Sequence, residues 1–379
     1  MALMKNIFAL SVLLAVFLVS APLRAEQIET LAKQAIIVDY ETGAMLFSKN
    51  PDEKMPTSSM SKVLTMYLVF EALQNGKLSQ DDLLTVNEKA WRTQGSKMFV
   101  ALNSRVKVSD LMRGVIVQSG NDATIVLAEG LAGTEEAFAE AMNRKAQDLG
   151  MKNSHFMNAS GLPDPEHYST CRDLATLARA MINNFPDYYE IYSEKDFTYN
   201  NIKQGNRNPL LYRNLGADGL KTGHTEGAGY GLIGTGVQDG RRVIIVLNGL
   251  SSMQERADES AKLLEWGQRR FENKTLAESG KTLDEASVAM GQAQTVPLVL
   301  EKDVRVTLPK MAQQAVKIQA VYRGPLVAPV RKGQAVGKLV IEMPGMEPIE
   351  RPLLAGADVA ELGFFAKTFE KARYLLGAK

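Results

Sequence analysis

Cysteine and histidine are nearly absent from this chain. The single thiol, that of Cys171, cannot form an intramolecular disulfide, so the fold must be held by its hydrophobic core. The three histidines, His155, His167 and His224, are not paired at the spacing of zinc ligands, and no cysteine pair supplements them. We therefore predict that the protein works without a metal ion or any other cofactor.

A surplus of one charge sign is also missing. Lysine and arginine together number 44 against 43 aspartates and glutamates, which gives a net charge of +1. Such a balance provides no electrostatic footprint for a polyanion. We expect no nucleic-acid partner.

The apolar run at the N-terminus, residues 7–19, is shorter than a comfortable membrane span. It follows Lys5 and is followed by small residues, a pattern typical of a secretory signal peptide. We predict a signal peptide at residues 1–25, with cleavage after Ala25, and hence an exported protein. An uncleaved membrane anchor is the alternative.

Residues 26–274 mix strand and helix patterns in an order that predicts one domain. Strand patterns occur at 35–40, 44–48, 229–237 and 241–247, in two pairs that turns join. Helical patterns begin near Ser58, Val108, Ala123, Thr134, Cys171 and Gln254. Strands at both ends with helices between them predict an α/β (α+β) fold, in which helices flank a mixed antiparallel sheet.

The C-terminal third has a different character. A polar stretch at 273–291 precedes short strand-like runs at 296–300, 304–308, 316–322, 335–341 and 349–354. These runs, punctuated by proline and glycine, predict a small all-β domain at residues 275–358.

Residues 359–379 form the tail, where apolar side chains recur at helical spacing on one face and basic side chains lie elsewhere. This pattern predicts an amphipathic helix in a membrane interface. Docking of the helix on its own domain or on a partner is the alternative.

The most chemically suggestive stretch is Ser59–Met60–Ser61–Lys62, near the start of a predicted helix that Gly76 ends. Residues three apart share a helix face, so the Lys62 amine can reach the Ser59 hydroxyl. A lysine buried beside other cations can lose its proton and then accept that of a serine. The N–H groups of the helix start could stabilise an oxyanion. Ser-x-x-Lys alone is a weak signal, because solvated helix faces often contain it.

A second polar group, Ser119–Gly120–Asn121, lies between two predicted helices. At such a junction the Ser119 hydroxyl and the Asn121 amide project into one space. Ser119 could then relay a proton between Lys62 and a leaving nitrogen, and Asn121 could bind a substrate amide. An ordinary polar turn is the alternative.

A third group, Lys221–Thr222–Gly223–His224, falls on a predicted inner strand that pairs with the following hairpin. The Lys221 charge and the Thr222 hydroxyl suit a substrate carboxylate. Gly223 leaves room for a ligand backbone, and the N–H of His224 is a candidate oxyanion donor beside that of Ser59.

Together, the three motifs resemble those of the penicillin-recognising serine enzymes, in order and in predicted context. The histidine after Lys-Thr-Gly, the β-rich second domain and the amphipathic tail are similar to low-molecular-mass penicillin-binding proteins that act as D-alanyl-D-alanine carboxypeptidases. The resemblance implies a periplasmic enzyme, held on the outer face of the cytoplasmic membrane by its C-terminal helix. It also implies that the enzyme removes the terminal D-alanine of peptidoglycan pentapeptides and binds β-lactams covalently.

The same resemblance implies a role for each motif residue. Ser59 is the nucleophile, Lys62 its base, and Ser119 the donor of a proton to the departing D-alanine. The substrate-binding residues are Asn121, Lys221, Thr222, Gly223 and His224. Arg207 and Arg256 match charged positions near the family's site, although surface cations are the ordinary interpretation.

Three alternatives remain open. A class A β-lactamase needs the pattern Glu-x-x-Leu-Asn, which the residues after Glu166 do not follow. A DD-endopeptidase acting on crosslinked peptides cleaves the same kind of bond. A non-catalytic wall-binding protein would share the export signal and would not require Lys62.

Overall fold

The computed structural model describes residues 28–310, 316–342 and 348–375. The predicted signal peptide lies outside these residues, as does the end of the tail. Elements are labelled here in chain order.

The helices are α1 (Lys62–Gln74), α2 (Glu88–Arg92), α3 (Val108–Ile116), α4 (Asn121–Ala132), α5 (Glu135–Asp148), α6 (Cys171–Asn184), α7 (Pro186–Tyr189), α8 (Met253–Arg270) and α9 (Phe364–Leu375). The strands before residue 271 are β1 (Gln34–Asp39), β2 (Met45–Lys49), β3 (Leu83–Thr85), β4 (Arg105–Lys107), β5 (Asp196–Tyr199), β6 (Ile202–Gly205), β7 (Ala217–Thr225), β8 (Gly229–Gln238) and β9 (Arg241–Leu250). The later strands are β10 (Phe271–Ala277), β11 (Asp284–Ala289), β12 (Thr295–Val299), β13 (Val304–Pro309), β14 (Lys317–Tyr322), β15 (Leu326–Val327), β16 (Ala335–Glu342) and β17 (Ile349–Ala355).

The centre of the larger part is an antiparallel five-stranded sheet in the order β2-β1-β9-β8-β7. Strands β1, β8 and β9 each contain a run of consecutive buried residues, and since successive side chains point to opposite sides, these strands are buried on both faces. In β1, Ile36 packs into one hydrophobic cluster while its neighbour Ile37 packs into another. In β9, Val246 and Ile245 divide in the same way.

Helix α8 covers one face of this sheet. It packs Leu263 and Leu264 onto the strands. Gly267 allows close approach, since a Cβ there would lie 2.8 Å from the Ile37 side chain. The other face carries α1 and α3–α6, and α1 is buried nearly all round. A helix with apolar side chains on every face belongs in a core, which holds the start of α1 firmly in place.

Capping residues mark several of the helix boundaries. Thr170 caps α6 by accepting a hydrogen bond from the Asp173 amide at 3.1 Å, and Cys171 is buried in the first turn. Burial raises the pKa of this thiol, which favours a packing role. Gly76, with φ +67°, follows α1, as predicted.

The C-terminal part contains a six-stranded sheet in the order β14-β16-β17-β12-β11-β15, and β10 pairs with β13. The sequence predicted no strand in the polar stretch at 273–291. This prediction is wrong, because most of β10 and all of β11 lie there. In β11, Ala286 is buried and its neighbours Glu285 and Ser287 are exposed. The strand buries few apolar side chains, so its sequence does not show a clear strand pattern. The predicted fold class, with its separate all-β part, is confirmed.

The two parts meet at the buried carboxylate of Asp39. One of its oxygens accepts hydrogen bonds from the Thr42 amide at 2.9 Å and the Asn273 side chain at 3.1 Å. The other oxygen pairs with Arg241 at 2.9 Å. The β1–β2 turn is thereby tied to β10.

We predict that Asp39→Ala destabilises the protein by about 3–5 kcal/mol, because it leaves the largely buried Arg241 unpaired. The free energy of unfolding from urea denaturation measures this loss. Asp258→Ala is the matched control, since it breaks an exposed pair with Arg213 and should cost less than about 1 kcal/mol. Equal costs for the two variants would contradict the prediction.

Candidate active site

The site begins where α1 begins. A single 3-10 turn, Ser58–Ser61, leads into the helix and presents Ser59 half-buried, while Lys62 is fully buried. The Lys62 Nζ lies 2.9 Å from the Ser59 Oγ, so the predicted contact across one helical turn is present.

Two further groups contact the Lys62 amine. Nζ lies 2.7 Å from the Asn121 Oδ1 and 2.6 Å from the Ser160 backbone oxygen. Both atoms can only accept hydrogen bonds. A neutral amine has two N–H groups, which these two acceptors use, and its lone pair is then left for the Ser59 hydroxyl. The geometry therefore fits a lysine that accepts the Ser59 proton.

Electrostatics favour the same state. Burial, helped by the positive charge of Arg207, lowers the pKa of Lys62 to about 7. The carboxylates of Asp122 and Glu135 act in the opposite direction. A substantial fraction of the amine is thus neutral at pH 7.

The second motif lies where predicted, between α3 and α4, although α3 ends at Ile116 and not near Gln118. Ser119 has φ +60°, a left-handed conformation that is costly for a serine and is often found at functional sites. The Ser119 hydroxyl accepts a hydrogen bond at 2.9 Å from the buried amine of Lys221. The structure thus brings the second and third motifs into direct contact.

Asn121 has both ends of its amide engaged. Its oxygen accepts a hydrogen bond from the Lys62 amine, and its nitrogen donates one at 2.7 Å to the Gln94 carbonyl. In this structure the residue therefore orients the lysine.

The third motif lies on β7, which is an edge strand of the sheet; the prediction of an inner strand is wrong. The hairpin β8–β9 pairs with one side only of β7, and the other side faces the start of α1. A Cβ on Gly223 would lie 2.8 Å from the Thr57 carbonyl oxygen, so only glycine allows this approach. Among the described strands, β8 is therefore the only partner of β7 in this sheet, and Gly223 lies next to the turn that carries Ser59.

Lys221 and Thr222 are buried beneath this edge, whereas His224 is exposed and stacks on Tyr230 with ring centroids 3.9 Å apart. Burial and then the charges of Lys62, Arg207 and Arg256 hold the pKa of Lys221 well below its usual value. The side chains of Lys62, Arg207 and Arg256 therefore lie close enough to Lys221 for their charges to disfavour its protonated form.

The two arginines, Arg207 and Arg256, differ in their exposure. Arg207 is exposed and donates a short hydrogen bond to the Ser96 hydroxyl. Arg256 is 7% exposed and lies over the Tyr230 ring, 5.6 Å from its centroid, so interpreting it as a surface cation is wrong. Both contribute to the field at Lys221.

The sequence did not single out Asp122. Its buried carboxylate accepts hydrogen bonds from the amides of Met98, Phe99 and Val100 at 2.8–3.2 Å, which fixes the loop beside the site. An acidic residue in the first turn of a helix is too common to signal such a role.

The Ser160 carbonyl was also missed. It lies in a turn in which the Asn158 side chain accepts hydrogen bonds from the amides of Gly161 and Leu162. Gly161 has φ +80°, and a Cβ there would meet the Ser58 oxygen at 1.8 Å. A backbone acceptor leaves no mark in a sequence pattern.

Comparison with family models gives two matches. Residues 20–251 match the family described as D-alanyl-D-alanine carboxypeptidase. Residues 271–361 match the family described as penicillin-binding protein 5, C-terminal domain.

Individual relatives agree. The chain is 41% identical to D-alanyl-D-alanine carboxypeptidase DacA of Haemophilus influenzae, over 89% of this chain and 88% of that protein. It is 40% identical to DacC of Escherichia coli, over 89% and 87% of the two chains. The crystal structure of penicillin binding protein 5 from Haemophilus influenzae superposes with a TM-score of 0.82 at 41% identity, covering 89% of this chain and all of that chain.

We predict that Arg207→Gln raises the pKa of Lys62, because it removes a positive charge that now opposes protonation of the amine. A pH titration of the Lys62 Cε signal by ¹³C NMR measures this pKa. Arg213→Gln, which removes an exposed arginine paired with Asp258, should leave it unchanged. An unchanged or lower value in Arg207→Gln would contradict the charge coupling.

Proposed function

The chain belongs to the D-alanyl-D-alanine carboxypeptidase family, and from that premise we propose a chemical role for each residue of its site. The protein is a serine-type hydrolase of D-alanyl-D-alanine termini and a penicillin-binding protein. The resemblance inferred from the three motifs is confirmed. The observation that carries the proposed mechanism is the contact between the Lys62 amine and the Ser59 hydroxyl.

Acylation starts on Ser59. Neutral Lys62 accepts the hydroxyl proton as the Ser59 oxygen attacks the carbonyl carbon between the two terminal D-alanines. The negative charge that forms on the carbonyl oxygen is taken by the N–H groups of Ser59 and His224. Asn121 and the Ser160 carbonyl keep the protonated amine in place.

The C–N bond then breaks. Ser119 donates its hydroxyl proton to the departing nitrogen. Lys62 then returns the proton that it took from Ser59 to the Ser119 oxygen. Lys221 donates a hydrogen bond to the Ser119 hydroxyl, and this contact orients that hydroxyl for the transfer. Free D-alanine leaves, and water hydrolyses the ester on Ser59 to regenerate the enzyme.

The substrate carboxylate is held by the positive charges of the cleft. Lys221 and Thr222 supply the buried contacts, and Arg256 and Arg207 reinforce the field. Gly223 admits the peptide backbone, and the ring of His224 supports the edge of β7. A peptide without a free carboxylate at this position would lose these contacts.

We place the enzyme in the periplasm, on the outer face of the cytoplasmic membrane. Support comes from the signal-peptide pattern of residues 1–25 and from α9. In α9, Phe364, Phe365 and Phe369 are 72–87% exposed, as expected for side chains that enter a lipid interface. None of the helices that the structure describes is long and apolar enough to cross a bilayer.

The acylation rate should fall with pH below about 7, because protonated Lys62 cannot accept the Ser59 proton. We expect the rate to drop about tenfold for each further pH unit. Fluorescent-penicillin labelling and release of D-alanine from a pentapeptide both measure it. Lys62→Arg should be inactive at every pH, since its guanidinium stays charged.

Ser59→Ala is the control for covalent labelling and should give none. Turnover of either substrate by Ser59→Ala, or a rate independent of pH between 5 and 8, would overturn the assignment of nucleophile and base.

The double variant Phe365→Ser/Phe369→Ser should bind vesicles of phosphatidylethanolamine and phosphatidylglycerol at least about tenfold more weakly. Burial of one phenylalanine contributes about 1.5–3 kcal/mol, which exceeds the 1.4 kcal/mol of a tenfold change. Vesicle sedimentation measures the partition. Val327→Ser, at a 70% exposed apolar residue of β15, is the matched control. Equal binding by both variants would exclude α9 as the anchor.

A further inference from the structure

A buried histidine lies directly beneath the start of α1 and has no place in the reaction described above. His167 is 4% exposed and packs edge-on against the Phe156 ring. The Met157 amide donates a hydrogen bond to its Nδ1 at 3.1 Å. Since Nδ1 accepts, the ring hydrogen is on Nε2, which then donates to the Ser61 hydroxyl at 2.7 Å.

The hydrogen bonds continue from Ser61. Its hydroxyl contacts the Thr57 hydroxyl at 2.5 Å, at the other end of the 3-10 turn that carries Ser59. A continuous path of three hydrogen bonds thus runs from the backbone of Met157 through His167 and Ser61 to Thr57. All of these groups except the Met157 side chain are buried.

Two residues of the path, Ser61 and Met157, lie close to the surroundings of Lys62. Ser61 immediately precedes Lys62 in the chain, so the Nε2 bond fixes the first turn of α1. Met157 begins the turn that presents the Ser160 carbonyl, which the Lys62 amine contacts at 2.6 Å. The imidazole ring therefore links the residue before Lys62 to the turn that carries its backbone acceptor.

Only the neutral ring can do this. A protonated imidazole has no acceptor for the Met157 amide and would break that bond. The titratable groups that face the ring are Asp164 and His155 of its own loop and Lys62 of α1. Burial outweighs the attraction of Asp164 and lowers the pKa of His167 to about 4, so the two bonds persist through neutral pH.

We propose that His167 is a positioning residue: it clamps the turn at 157–162 to the first turn of α1 and so holds Lys62 in reach of Ser59. The proposal rests on the role of Lys62 as base in the proposed function. Loosening the clamp should allow water to reach the amine, which would raise the pKa of Lys62 toward that of an exposed lysine.

The test compares His167→Met with His167→Gln. Methionine fills the space without either hydrogen bond, whereas glutamine offers one donor and one acceptor. We expect His167→Met to lower the acylation rate by about 10²-fold, the cost of a misplaced base, and to move the acid limb of its pH profile upward. His167→Gln should restore most of the rate and the wild-type limb. Fluorescent-penicillin kinetics from pH 5 to 10 measure both.

Thr65→Val is the matched control. It removes a buried hydrogen bond of 2.6 Å from α1 to the Ala159 carbonyl of the same turn, one helical turn beyond Lys62. Thermal denaturation should show a comparable loss of stability, with the acid limb unchanged. If His167→Met has the rate and the acid limb of Thr65→Val, the proposal is wrong and His167 is only a packed residue.

Ser61→Ala keeps the test decisive if His167→Met does not fold. It removes the middle of the path and leaves the ring in place, and it should shift the acid limb in the same direction. An unshifted limb in Ser61→Ala would overturn the clamp. Labelling of Ser59→Ala would instead overturn the proposed function, so the two failures are distinguishable.

Discussion

The site depends on one buried amine with three close neighbours. Lys62 lies between the Ser59 hydroxyl, the Asn121 amide oxygen and the Ser160 carbonyl, all within 2.9 Å. Two of these can only accept, so a neutral amine satisfies every partner and a protonated one adds a charge that burial disfavours. The core that surrounds α1 is what excludes water from this group, and the fold and the chemistry are thus linked at one atom.

The charges around that amine are balanced and not simply positive. Arg207 lowers its pKa, whereas Asp122 and Glu135 raise it. The two carboxylates have structural duties as well. Asp122 fixes the amides of the loop at 98–100, and Glu135 accepts the Ala159 amide next to Ser160. The same groups that shape the walls of the cleft therefore tune the base inside it.

Much of this architecture was predictable, because local signals and tertiary packing agree along most of the chain. The capping threonine at 170, the Asp239–Gly240 turn and the continuous apolar run of β9 each specify their element without help from distant residues. The three motifs indicated the chemistry through their order and spacing. What could not be predicted depends on distant contacts: the edge position of β7, the burial of Arg256, and a backbone acceptor at Ser160. Strands β10 and β11 were missed because they bury few apolar side chains.

The passage from α8 to β10 has a mechanical consequence. The helix ends at Arg270 and the strand begins at Phe271, with no loop between them, and Asp39 ties the β1–β2 turn to Asn273 on the same strand. The passage contains no loop that could act as a hinge, and a side-chain hydrogen bond crosses it. If α9 attaches the protein to the membrane as proposed, the β-rich part, which lies between α9 and the catalytic part in the chain, would act as a spacer. The depth of the cell wall that the cleft reaches would then depend on the dimensions of this part, and lengthening it would move the cleft to a different layer of the substrate.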